Sequence, residues 1–261
     1  MLKKQIDTFK RYRFLLRELV KKGIKLKYRR SYLGILWTLL EPILTTCVLT
    51  LVFSGFFHKG DKTFPVYILT GRLLYTFFSS GSKAAMKSIR AHAGMIKKVY
   101  VPKYIYPLSS VLFNFVIFAI SLIVLVGALF IFKVYPNWWT LTAILPLIML
   151  FLLTLGAGMI LSTLSVFFRD LEYLWDVGLM MIMYTCAIFY DDKAMISSAN
   201  GWVFKINPLF AIIKDFRAAI YGENMFASPA WVIMPAVVSV LSVVIGVLMF
   251  KKNQDKFILH I

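Results

Sequence analysis

Gly71-Arg72-Leu73-Leu74-Tyr75-Thr76-Phe77-Phe78-Ser79 is an apolar segment interrupted by one charge, and it runs into Lys83–Lys103, where six basic residues occur without an acid. An apolar stretch of bilayer length followed by a basic flank reads as a membrane span whose flank faces the cytoplasm. Arg72 sits inside that span. There a charge costs at least about 2.5–3.5 kcal/mol on insertion scales, so it should face a cavity, water or a partner, with Glu41 the nearest candidate by depth.

Working outward, the chain is 60% hydrophobic and 16% charged, and its apolar blocks are long enough to cross a bilayer at about 20 residues each. Spans are expected at about 34–57, 63–82, 104–132, 139–168, 174–190 and 230–250, by hydropathy and length. With both termini inside, the cytoplasmic segments 1–30, 83–103, 169–176 and 251–261 hold twelve, six, one and three basic residues, against seven in the outer segments. The positive-inside rule therefore favours a multi-pass plasma-membrane protein with cytoplasmic ends. The net charge of +18 lies beside apolar spans, which suits anionic headgroups and a cytosolic partner better than nucleic acid. No cleaved targeting segment is expected.

Residues 1–30 have helical periodicity, with Leu2, Ile6, Phe9, Tyr12, Leu16, Leu19 and Ile24 on one side and lysines and arginines on the other. Such a helix lies flat at the cytoplasmic surface. The outer segment 191–229 places Trp202, Ile206, Phe210, Ile213, Phe216 and Ile220 at helical spacing, interrupted by Pro208. Short re-entrant helices dipping into the outer leaflet fit this pattern, with Asn207, Pro208, Phe216 and Arg217 forming an outer gate. The expected fold is all-α: one transmembrane domain over 1–261, made of the amphipathic helix, a six-span bundle over 34–250 and the outer helices.

No catalytic constellation can be assembled. His58, His92 and His260 fall on different sides of the membrane, so no metal site is expected, and Asp191-Asp192 is read as a solvated loop. Cys47 and Cys186 lie in apolar stretches and read as buried thiols. No Gly-x-x-x-x-Gly-Lys-Ser/Thr phosphate loop exists, so any ATP and Mg would be bound by another subunit. In Lys83–Lys98, Lys83, Lys87 and Arg90 share one helical face while Met86, Ile89, Ala93 and Ile96 share another. That pattern suits a cytoplasmic helix docking on a protein, and it suits a helix resting on lipid equally well.

Four stretches, in order, resemble the type-2 ABC exporter permeases that move lipid-linked polysaccharides, O-antigens and teichoic acids out of bacteria. They are Leu33-Gly34-Ile35-Leu36-Trp37 through Glu41-Pro42; Leu73 to Ser79; Ile96-Lys97-Lys98-Val99-Tyr100-Val101-Pro102 through Pro107-Leu108-Ser109; and Phe168-Arg169-Asp170-Leu171. Asn207-Pro208-Leu209, Phe216-Arg217 and Tyr221-Gly222 add a fifth. Arg72 and Tyr75 depart from the pattern, as does the absence of a proline near Ala187-Ile188-Phe189-Tyr190. The resemblance implies two copies of the chain with two ATP-binding cassette subunits, exporting a polyprenyl-pyrophosphate-linked glycan. It places a coupling helix at 83–98 with Lys83, Lys87, Arg90, Lys97 and Lys98, and lipid-pyrophosphate admission at Arg29, Arg30, Leu33 and Gly34. Together with the aromatic density it suggests a channel lined by Trp37, Tyr75, Phe78 and Arg72. The alternatives are a small-lipid or drug exporter of the same fold, or a membrane glycosyl- or acyltransferase, which would need clustered acids or a His–acid pair.

Overall fold

A computed structural model describes residues 2–29, 31–57, 62–99, 101–190, 196 and 201–260, with side chains described outside 2–11, 54–57 and 260. Helices follow one another with no strand among the described residues. They are α1 (Leu2–Tyr28), α2 (Trp37–Phe57), α3 (Phe64–Ala91), α4 (Ala93–Ile96), α5 (Ile105–Ile131), α6 (Ile144–Phe167), α7 (Leu171–Tyr184), α8 (Gly201–Ile206), α9 (Pro208–Tyr221), α10 (Pro229–Asn253) and α11 (Phe257–His260).

Four described stretches, Gly34–Phe53, Ile105–Ile131, Trp138–Phe167 and Pro229–Leu259, are long and apolar enough to cross a membrane. They contain α2, α5, α6 and α10. The other two expected spans differ from the expectation for separate reasons. Helix α3 has 28 residues, about 42 Å at 1.5 Å per residue, but it carries Arg72, Lys83, Lys87 and Arg90. It continues to Ala91 instead of ending near 82, because Ala84, Ala85, Met86 and Lys87 are all strong helix formers. The separate coupling helix expected at 83–98 is therefore the end of α3, a break at His92 and the single turn of α4.

Helix α7 has 14 residues, about 21 Å, short of the roughly 30 Å hydrocarbon core. The chain turns after Tyr184, with Ala187 at φ 46°, and Cys186, Ala187, Ile188 and Phe189 are buried. Irregular backbone inside an apolar bundle is tolerated only where protein groups satisfy it. Here Asn207 Nδ2 donates to Thr185 O at 3.3 Å, Tyr67 Oη donates to Tyr190 O at 2.9 Å, and Arg217 Nη1 donates to Ala187 O at 2.9 Å.

The core lies where α3 meets α5 and α6, with α9 and the turn after α7 closing it, and α10 packs along α6. Helices α6 and α10 approach at Gly156, where a β-carbon would stand 2.4 Å from the Ser242 carbonyl carbon and 2.6 Å from Val243 N. Helix α1 packs its apolar stripe on protein: Leu16 and Leu19 join Ile105, Tyr106 and Phe250 in one buried cluster, while Lys21, Lys22 and Lys25 stay exposed. The turn from α1 into α2 passes through Gly34 at φ +49°, a left-handed conformation natural to glycine, which explains the Leu33-Gly34 pair.

Helix α9 is buried on nearly every side rather than presenting one apolar face to lipid. Phe210, Ala211, Ile212, Ile213, Phe216, Ala219 and Ile220 are all inaccessible. Pro208 begins this helix instead of breaking it: at the first helical position its missing N–H has no partner to lose. Asn207 caps the helix by accepting from Leu209 N at 3.0 Å and Phe210 N at 3.4 Å, and Gly222 ends it at φ 79°.

Candidate functional site

The basic face of α3 has a partner within the same chain. Lys83 Nζ pairs with Asp176 at 2.8 Å, Lys87 Nζ with Glu172 at 3.0 Å, and Arg90 Nη2 with Glu172 at 2.6 Å. The register is antiparallel, since 83, 87 and 90 on α3 meet 176 and 172 on α7. Two uncharged links continue the seam: Trp175 Nε1 donates to Ser82 Oγ at 3.1 Å and Tyr75 Oη to Leu179 O at 2.9 Å. Helix α7 thus turns a polar side to α3, leaving Tyr173, Leu174, Val177, Met180, Met181 and Tyr184 exposed on the other.

These pairs differ in strength. Lys83 and Asp176 are 41% and 56% exposed, where an ion pair contributes about 0–1 kcal/mol. Arg90 and Glu172 are 24% and 28% exposed, so the doubly paired Glu172 is the stronger tie. Glu172 and Asp176 escaped the sequence reading. The available signal was a pair of acids at i, i+4 in the segment beginning at Arg169-Asp170, matching the spacing of the bases on α3.

The remaining expected residues divide among three places. Lys97 and Lys98 are exposed just beyond α4, and His92, at the break before it, donates through Nδ1 to Ser88 O at 2.8 Å and stacks on Tyr106. Arg29, Leu33 and Trp37 are exposed around the α1–α2 turn, with Gly34 between them, while Arg30 lies outside the described residues. Tyr75 and Phe78 are buried between α3 and α7, with the Phe78 ring 6.2 Å from Trp175. Arg72 faces the other way, into a cavity between α1, α2, α3 and α5.

In the outer segment, Asn207 and Pro208 start α9, Phe216 is buried in the core, and Arg217 is buried with three donors placed on the Ala187 and Tyr67 carbonyls and Thr70 Oγ1. The Arg217 guanidinium also stacks 3.4 Å over the Tyr67 ring. The part of the expected gate at 191–195 and 197–200, with Asp191 and Asp192, lies outside the described residues, as does His58. Among the described residues no group of three or more His, Cys, Asp or Glu is placed to hold a metal ion.

Asp215 lies beside Arg217 in sequence, is 3% exposed, and has a carboxyl oxygen Oδ2 without a hydrogen-bond partner. Burial pushes its carboxyl up from 3.8 to about 7, against the opposing pull of Lys214. A carboxyl whose folded value exceeds its unfolded value costs stability as pH rises from about 4 to about 7, because the folded chain holds the proton longer. An Asp215→Asn protein is therefore expected to melt higher than the parent at pH 8 and alike at pH 4. An equal gain at both pH values would show that the carboxyl's charge is irrelevant.

The chain is similar to transport proteins over almost its whole length. Residues 15–221 match the family model described as ABC-2 type transporter. An O-antigen export system permease protein RfbA of Klebsiella pneumoniae is 28% identical over 245 residues, 93% of each chain. The protein of the same name from Myxococcus xanthus is 27% identical over 250 residues, covering 94% of this chain and 95% of that one. The polysialic acid transport protein KpsM of Escherichia coli is 23% identical over 209 residues, 76% and 77% of the two chains. With a basic seam, exposed apolar helices and a family match across most of its length, the chain belongs to the ABC-2 type transporter family.

Proposed function

We propose that this chain is the membrane permease of an ATP-driven exporter that moves a polyprenyl-pyrophosphate-linked polysaccharide, of the O-antigen or capsule kind, out of the cell. The carrying observation is similarity to O-antigen permeases over 93% of both chains. The sequence has no phosphate loop, so the energy comes from a separate ATP-binding subunit. Two copies of each make the working unit. Six crossings with both termini in the cytoplasm follow from the charge distribution, with α7 and its buried turn counted as the fifth crossing. The exposed sides of α2 and α7 then face the second copy across the glycan path, with Trp37 at its inner mouth and the Leu33-Gly34 turn beside it. Teichoic acid remains within the same chemistry, since it too is a lipid-linked anionic polymer.

Coupling is assigned to the α4 tip, where Lys97 and Lys98 are free to meet the ATPase. Lys83, Lys87 and Arg90 then serve behind it, carrying movement of the tip into α7 through Glu172 and Asp176. Deleting the gene should lower surface polysaccharide at least tenfold, with lipid-linked glycan accumulating inside, and tagged permease should copurify with an ATPase. Undiminished surface glycan in the deletion strain would overturn the assignment.

A further inference from the structure

We propose that the cavity walled by α1, α2, α3 and α5 is an oxyanion-binding site built around Arg72 and Lys27. Its volume is about 110 Å³, and Glu41, Thr76, Ser80 and Asn114 are also in its lining. Arg72 is half-buried well inside α3, yet it makes no hydrogen bond or ion pair with any described residue. Arg217, in contrast, spends its donors on carbonyls of the fold. A guanidinium in a membrane helix costs at least about 2.5–3.5 kcal/mol, and here no protein group offsets that cost. Its donor fork is free for water or an anion.

The rest of the lining favours the anion. Glu41 shares the cavity but forms no ion pair with either cation, so two positive charges stand against one negative. Thr76 and Ser80 add hydroxyls with no described partner, one and two helical turns below Arg72 on the same side of α3. The space is roomy enough for a phosphate or carboxylate group together with several waters. The cavity is open, so the carrier of the anion lies outside it. Arginine binds such groups in bidentate fashion, through two parallel N–H donors to two oxygens. Two carriers share this chemistry: an acidic sugar of the exported glycan and an anionic lipid headgroup. Only the first of these rests on the exporter reading.

The test uses the full chain in phosphatidylcholine nanodiscs, with Cys47→Ala removing the exposed thiol and Thr76→Cys reporting from the cavity wall. A sulfonate-bearing methanethiosulfonate reagent should label about tenfold faster than its ammonium counterpart, given unit charges within a few ångströms. Arg72→Gln should abolish that preference and Arg72→Lys should retain it. Ser80→Cys gives a second reporter if the first folds poorly. Slower labelling with added glucuronate, but not glucose, identifies a sugar acid, whereas slower labelling on introducing phosphatidylglycerol identifies a lipid headgroup. Either slowing should vanish in Arg72→Gln. Equal rates for the two reagents, or no slowing by either carrier, would overturn the site and leave a water-filled niche. Labelling does not depend on export, so this proposal and the exporter assignment fail separately.

Discussion

Gly156→Ala is expected to abolish accumulation of folded protein, or to lower its Tm in detergent sharply. The added carbon would sit 2.2 Å from Ser242 Oγ, 2.4 Å from Ser242 C and 2.6 Å from Val243 N. Two of those three atoms are backbone, so no rotamer change relieves the clash and α6 and α10 must separate. Separation is costly because apolar lipid supplies no hydrophobic drive to hold helices together, and close backbone approach supplies much of what does. Overpacking of this kind costs about 1–3 kcal/mol or more. Gly246→Ala should be milder, since its nearest neighbours stand at 2.9 and 3.0 Å, and Gly94→Ala, with nothing within 4 Å, should be silent. If Gly156→Ala melts like the parent, the crossing is looser than described.

Arg217→Ala is expected to expose Cys186. The thiol is fully buried in the turn after α7, and that turn is held by Arg217 Nη1 on Ala187 O, by Tyr67 Oη and by Asn207. Removing the guanidinium deletes three charge-assisted hydrogen bonds and the stack on Tyr67, and leaves a void beside Gly71. Maleimide labelling of Cys186 in a Cys47→Ala background should rise at least tenfold, with Arg217→Lys intermediate because it keeps charge but not the fork. An unreactive Cys186 in Arg217→Ala would mean that Tyr67 and Asn207 hold the turn unaided. The prediction bears on function, since this turn ends α7, the helix tied to α3 at Glu172.

The local features were legible in the sequence because they are local. Apolar run length sets helices α2, α5, α6 and α10, the period of 3.6 residues sets the two faces of α1, and Asn207-Pro208 and Gly222 set the ends of α9 by capping chemistry. Depth and charge required Arg72 to face a cavity, water or a partner, and packing set it at a cavity without an ion pair to Glu41. Other features depended on residues distant in the chain. Lys83, Lys87 and Arg90 read alike as free for a partner or for lipid, because nothing within their own segment distinguishes those fates from pairing with acids on α7, more than 80 residues later. Tyr75 and Phe78 read as channel aromatics for the same reason, and a neighbouring helix buried them. The outer segment was read as amphipathic from the helical spacing of its apolar residues, with its charges opposing a full crossing, whereas packing placed Lys214 over Trp231 and Arg217 over Tyr67, so charges that would bar burial of an isolated helix are met by aromatic faces and carbonyls. Hydropathy and capping are properties of neighbouring residues, and the sequence displays them. Which face of a helix meets solvent, lipid or another helix depends on long-range pairing, and only the tertiary structure decided it.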